Sequence, residues 1–447
     1  LQAWGDAKPV LTATIAYAGP WEKVRDNIYV ADVSALAYKM DTTNPQVFLD
    51  DDALVEARYP NMGPTMDTIM DYRRAVAQAG TDKATLVAPD DIPSDIGGAT
   101  AVVWPGSNGL AGWVAWTSPV ASVEGREIHL GMEIDRNEPV IGGKAYTPFP
   151  GNAFYVTGSL SLLDAPGETF YDRKTGRMYV WLPDGGDPTG RAIRFRGKSS
   201  VVLHADGKRH IRLQGLTILG GGIRMDGAGH CVIEDCVIRY ADHFQGNGYV
   251  SGSQTESMVV TGDDLVVRRC VFGPTAGNGI LLGGNRVVFT DNYVQNSNYA
   301  GNDYAAVFVF RSTDLEISRN QFYNSARAHI FFAIGVRFER CVIEHNHFKD
   351  HATLNSDAGA FYTWSCDGGG TEIRYNLVEC GNRNDNGTMM KLREGLYVDN
   401  YSSNFSVHHN IVIGGGAGLQ INLPNPGTTY AHNTVIGAQH GIGFFSV

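Results

Sequence analysis

Val342-Ile-Glu-His-Asn346-His-Phe348 decides how this chain is read, because the same seven-residue figure keeps returning. It recurs as Val288-Phe-Thr-Asp-Asn292-Tyr-Val294, Glu316-Ile-Ser-Arg-Asn320-Gln-Phe322, Glu372-Ile-Arg-Tyr-Asn376-Leu-Val378, Ser406-Val-His-His-Asn410-Ile-Val412 and Thr429-Tyr-Ala-His-Asn433-Thr-Val435. Two earlier copies, Val232-Ile-Glu-Asp-Cys236-Val-Ile238 and Val266-Val-Arg-Arg-Cys270-Val-Phe272, carry cysteine at the fifth position. Successive fifth positions lie 34, 22, 28, 26, 30, 34 and 23 residues apart. A repeat with one elastic segment is the signature of a solenoid. Asn suits the turn inside the figure because it tolerates the left-handed region and bonds local backbone. Coils stacked about 4.8 Å apart would let its amides bond from one to the next.

Working outward, each figure is followed by a variable turn and then a strand that opens, in most coils, with Gly or Ala. These are Gly222-Ile-Arg-Met, Gly279-Ile-Leu-Leu, Ala306-Val-Phe-Val, His329-Ile-Phe-Phe, Gly359-Ala-Phe-Tyr, Gly395-Leu-Tyr-Val, Gly418-Leu-Gln-Ile and Gly441-Ile-Gly-Phe. Side chains alternate faces along a strand, so Ile280, Val307, Ile330, Leu396, Leu419 and Ile442 are expected inside. Phe308, Phe331, Phe361, Tyr397 and Gln420 are expected outside. The longest loops, about 241–256, 296–304, 349–358 and 380–394, flank that outer row and describe a groove.

The fold class expected is all-β: a right-handed parallel β-helix with an inserted β-rich, sandwich-like accessory domain. Residues 1–20 would hold its first strand, with Thr12–Ala16 as the segment that reads as strand. Residues 21–192 lack the Asn period and would form the insertion, and 193–447 the rest of the solenoid with its groove. In the insertion, Asn27–Asp32 opens a new strand module and Met66–Ala77 reads as helix. Tyr171–Trp181 reads as a hairpin turning at Lys174-Thr-Gly176. The sequence ends at Phe444-Phe-Ser-Val447, inside a groove strand without a polar cap, so a cover or a continuation is expected there.

Composition narrows the partners. A formal charge of -11 with 36 Lys and Arg against 47 Asp and Glu excludes a nucleic-acid backbone as the natural ligand. No run of 18 apolar residues exists to span a bilayer. The six cysteines, without CxxC pairs, are expected as buried free thiols. The neighbouring histidines His408-His409 and His345-Asn-His347 do not make a metal set, because adjacent strand residues point to opposite faces. The glycine triplets at 220–222, 368–370 and 414–416 are turn chemistry rather than a phosphate loop.

The run Asn355-Ser-Asp357-Ala-Gly-Ala-Phe-Tyr-Thr-Trp364, then Gly370–Asn376, then Glu394-Gly-Leu-Tyr-Val-Asp399-Asn-Tyr-Ser-Ser-Asn404, resembles the β-helical glycoside hydrolases of family 141 and related parallel β-helix carbohydrate-active enzymes. Val47–Asn61 and Leu163–Pro183 support the likeness, while Ala358 stands where the family motif usually has Gly. The resemblance implies hydrolysis of glycosidic bonds, with α-L-fucosides or xylan among the substrates, and a catalytic pair that falls on Asp357 and Asp399. It also implies a secreted or periplasmic protein without a cofactor, acting on a polysaccharide or a derived oligosaccharide.

Two carboxyl groups flanking a scissile bond is the arrangement such hydrolysis needs. Pairing Gly359-Ala360 with Gly395-Leu396 sets Asp357 opposite Arg393 and leaves the two aspartates about 20 Å apart along extended chain. The Asp357 loop would then have to fold over the groove. Asp303 and Glu394 are further candidate carboxylates for substrate binding. Trp364, Tyr397, Tyr401 and Phe308 are candidates for stacking on sugar faces, and Arg327, Lys391 and Arg393 for an acidic sugar. Two other functions stay open. One is a polysaccharide lyase, with Lys391, Arg393 or His351 acting beside a uronate neutralised by Ca²⁺ or Arg. The other is a non-catalytic carbohydrate-binding solenoid.

Overall fold

The computed structural model describes residues 1–5, 7–63, 73–106, 112–138, 144–244, 258–381 and 392–446, with side chains left out at 136–138, 144–145 and 446. It is a right-handed parallel β-helix of three sheets carrying a β-rich insertion. One sheet stacks the strands that enter the Asn turn, from Arg212–Gln214 to Thr429–Ala431, and a second stacks those that leave it, from Val10–Thr12 through Thr217–Leu219 to Thr434–Ile436. The third, the groove sheet, runs from Val201–His204 to His440–Ser446.

Most strands in the first two sheets are three residues long, so only the middle side chain points inward. Leu213, Ile233, Val267, Phe289, Ile317, Ile343, Ile373 and Val407 fill one face of the core, and Ile218, Ile238, Phe272, Val294, Phe322, Phe348, Val378 and Val412 the second. Each such burial contributes about 1.5–3 kcal/mol. All six cysteines are free and buried.

The Asn turn works differently from the reading above. The left-handed residue is the one before the Asn: Asp291, Arg319, His345, Tyr375, His409 and His432 have φ between 52° and 56°. Asn itself faces inward and ties coils together. Asn320 Oδ1 accepts from Asn292 N at 2.9 Å and Asn292 Nδ2 at 3.0 Å, while its own Nδ2 donates to Asn346 Oδ1 at 3.0 Å and Phe289 O at 2.9 Å. Both lone pairs and both N–H groups are used, so the hydrogen bonds offset the cost of desolvating the buried amide. The ladder continues through Asn376 and Asn410 to Asn433.

Val10–Thr12 pairs in parallel with Thr217–Leu219, and the chain then leaves the solenoid. Thr14–Tyr17 turns to pair antiparallel with Ile193–Arg196, in a small sheet with Val47–Leu49 and Asp52–Ala53. Between these lie a five-stranded sheet containing the 168–181 hairpin and a seven-stranded sheet centred on Thr100–Trp104, Trp116–Glu124 and Ala153–Thr157. Part of the expected helix, residues 66–72, lies outside the described residues; Ala75–Val76 is strand.

Candidate active site

Among the turns described throughout, those from the leaving sheet into the groove sheet range from the two residues 326–327 to the eight residues 350–357. Charged side chains are delivered on this edge. Asn298 closes a tight turn, donating from Nδ2 to Asn302 O at 2.7 Å and accepting Asn302 N at 3.0 Å, and so presents Asp303. On the next coil the short turn presents Arg327, whose Nη1 meets Asp303 Oδ1 at 2.6 Å with both residues buried. One coil further, Asp357 takes a left-handed φ of 56° and its N–H donates to Leu392 O at 2.9 Å. The inserted domain braces this loop: Trp104 Nε1 donates to Asn355 Oδ1 at 2.9 Å, and Ser356 N to Gly112 O at 3.0 Å.

The outer face of the groove sheet corrects the expected register by one residue. Gly359 pairs with Glu394 and Phe361 with Leu396, so Phe361 joins the core and Tyr362 takes its place in the outer row. A one-residue slip turns every side chain to the opposite face. The row is Phe308, Phe331, Tyr362, Tyr397 and Gln420, with successive aromatic centroids 5.2, 5.0 and 5.2 Å apart and edge-to-face.

Two tyrosines bring the aspartates together. Tyr397 OH donates to Asp357 Oδ1 at 3.1 Å, and Tyr362 OH to Asp399 Oδ2 at 2.8 Å. Asn422 Nδ2 lies 2.7 Å from Tyr397 OH and 2.6 Å from Asp399 Oδ1. Three consecutive hydrogen bonds thus link the carboxyl groups, so their nearest oxygens are at most about 8.4 Å apart, short of the roughly 9.5 Å upper limit for glycosidic carboxyl pairs. The 20 Å separation of an extended strand is not what the chain adopts.

Burial pushes Asp357 up to about 6, helped by the charge of Asp399 and opposed by Arg327 and the Tyr397 hydrogen bond. Asp399 is also raised by burial, but the Asn400 N–H, Tyr362 and Asn422 all donate to it and favour its ionised form. Glu394 is raised to about 7, by burial first and by Asp357, against the hydrogen bond from Ala417 N–H. Burial and the neighbouring carboxylates lift Tyr362 and Tyr397 well above the ordinary phenol range, so both stay donors.

Of the residues singled out from sequence, Asp303, Asp357, Asp399 and Tyr397 belong to one cluster. Glu394 adjoins it but points along the stack to Ala417, and Arg393 donates from Nε to Ala352 O at 3.0 Å. Trp364 is half-buried and packs against the outer row, of which Phe308 is itself a member. Tyr401 sits on the turn after Asp399, 53% exposed, outside the hydrogen-bonded cluster among the described residues. Lys391 lies outside the described residues. Sequence reasoning missed Tyr362, through the register, and Asn422, which stands two places after Gln420 as Asp399 stands two after Tyr397.

Among the described residues no group of three or more His, Cys, Asp or Glu is arranged to hold a metal, and no helix is long and apolar enough to cross a membrane. A separate cleft of about 410 Å³ opens at the edge between groove and entering sheets, lined by Arg337, Asp367, Asn404 and Thr429 among others, and none of the clustered carboxylates lines it.

Residues 199–390 match the family described as a right handed beta helix region. None of the curated proteins matches the sequence. Among solved structures the chain is similar to one described as a glycoside hydrolase, at 16% identity and a TM-score of 0.64, over 96% of this chain and 83% of that one. It is similar to XylC in complex with xylose at 10% identity and a TM-score of 0.41, over 94% of this chain and 60% of that one. It is similar to an alginate lyase from Paenibacillus sp. at 10% identity and a TM-score of 0.26, over 54% and 91% respectively. In architecture the chain resembles the parallel β-helix carbohydrate enzymes.

Proposed function

We propose that the groove hydrolyses a glycosidic bond in a polysaccharide or an oligosaccharide derived from it, fucoside- or xylan-like by resemblance. The observation that carries this reading is the convergence of Asp357 and Asp399 on the Tyr397–Asn422 bridge. Their surroundings separate the two roles. Asp357, holding its proton up to about pH 6, donates it to the leaving glycosidic oxygen. Asp399, fed by three hydrogen-bond donors, is the ionised partner that activates water or attacks the anomeric carbon.

The lyase reading has less support. His351 Nε2 is 2.6 Å from Glu394 O, its side chain is fully buried, and burial depresses it to about 4. Arg393 is bonded to backbone.

The test is a panel of aryl glycosides and polysaccharides given to the wild type, Asp357→Asn and Asp399→Asn, with reducing ends and ultraviolet absorbance followed together. New reducing ends without absorbance, lost in both variants, are expected. Absorbance from an unsaturated uronide, or equal activity in all three proteins, would overturn the assignment.

A further inference from the structure

The inserted domain reaches the carboxylate cluster through Gly112–Ala115. This segment is tied at both ends to the loops that present the aspartates: Gly112 O accepts Ser356 N at 3.0 Å, and Ala115 N donates to Gly301 O at 2.7 Å. Contact there is tight enough that a Cβ on Gly301 would come within 2.7 Å of the Trp104 ring. Between the two ties stands Trp113, half-buried, its ring centre 5.6 Å from the Arg327 guanidinium carbon. Tyr146 meets the indole edge-on at 6.2 Å. The same guanidinium lies 4.3 Å from the Tyr362 ring centre and is paired with Asp303. A broad aromatic surface from a different domain is therefore fixed at the rim of the site.

Charge around it is one-sided. Among the described residues the cation that acts on Asp303, Asp357 and Asp399 is Arg327, whose guanidinium is already paired with Asp303, while Arg393 donates to Ala352 O. A uronate would add a further negative charge to this group. A neutral pyranose would offer hydroxyls to the carboxylates and an apolar C–H face to an indole.

We propose that Trp113 of the inserted domain walls the substrate cleft and stacks on a neutral sugar ring bound beside Asp357 and Asp399. This rests on the hydrolase reading for its substrate, while its binding claim can be tested alone. In an Asp357→Asn background, which prevents turnover, calorimetric titration is done with neutral oligosaccharides from xylan, xyloglucan and mannan and with acidic ones from polygalacturonate and alginate. The expected result is a neutral best binder, held nearly as well by Trp113→Phe and about tenfold more weakly by Trp113→Leu, with unchanged melting of both variants. Trp113→Leu binding as tightly as the parent, an acidic best binder, or no binder in the panel would each overturn the proposal. The two readings fail separately. A neutral ligand lost in Trp113→Leu but never cleaved by the wild type keeps the platform and removes hydrolysis. A cleaved substrate with unchanged KM in Trp113→Leu does the reverse.

Discussion

The Asn turn and the groove edge both stack buried polar side chains coil upon coil, yet they are built on opposite rules. From Asn292 to Asn433 the same residue repeats and its hydrogen bonds are met by the coils on either side. From Asp303 to Asp399 the residue changes at every coil, like charges crowd one another, and carboxyl groups are displaced from their ordinary range. Uniformity with full satisfaction stabilises a fold. Mixed charge held against its own repulsion is what acid–base chemistry requires.

The contrast can be broken from either side. The largest effect is expected at the groove: Asp357→Asn or Asp399→Asn lowers turnover by roughly a thousandfold while the melting temperature holds or rises, since a buried repulsion is removed. Steady-state rates and calorimetry on the same samples check both halves. Next comes the ladder. Asn346→Ala takes the acceptor from the Asn320 backbone N–H and from one of its side-chain N–H groups and should cost about 3 kcal/mol in denaturant unfolding, with kcat of the folded fraction unchanged.

A smaller, pH-dependent effect is expected at Glu394. Its folded value of about 7 against 4.5 means that the folded state holds a proton the unfolded chain releases, so its contribution is complete below about 4.5 and is lost as pH rises through 7. Glu394→Gln keeps an acceptor for the Ala417 N–H without titrating. The fall in wild-type melting temperature between pH 5 and pH 8 should therefore exceed the variant's by about a few degrees. Least of all, Arg340→Ala breaks an exposed pair with Asp314 at 2.7 Å and should leave the melting temperature almost unchanged, and the more so in high salt.

How much the sequence discloses follows the same division. The ladder is legible because spacing and residue type repeat, and even its amide bonds follow from stacking. The neighbouring left-handed position is not, because it is filled by Asp, Arg, His and Tyr and leaves no common letter. In the groove sheet, Gly359 stands opposite Glu394, one residue away from the alignment with Gly395 that the strand-opening glycines suggest. Strand-opening glycines have no fixed offset, and a period of two turns that small slip into the exchange of Phe361 for Tyr362. The aspartate pair was visible as residues and not as geometry. What joins it, Tyr397 to Asn422, spans 25 residues, and the brace from Trp104 to Asn355 spans 251. No local pattern encodes contacts of that range.

The strand Val10–Thr12 carries one more consequence. Its neighbour Thr217–Leu219 lies 207 residues downstream. At ribosomal speeds of about 5–20 residues per second, that partner emerges roughly ten to forty seconds later. The whole insertion is translated in the interval, so it can fold as a unit before the first rung closes, and the nascent chain must keep Val10–Thr12 from competing edges until then.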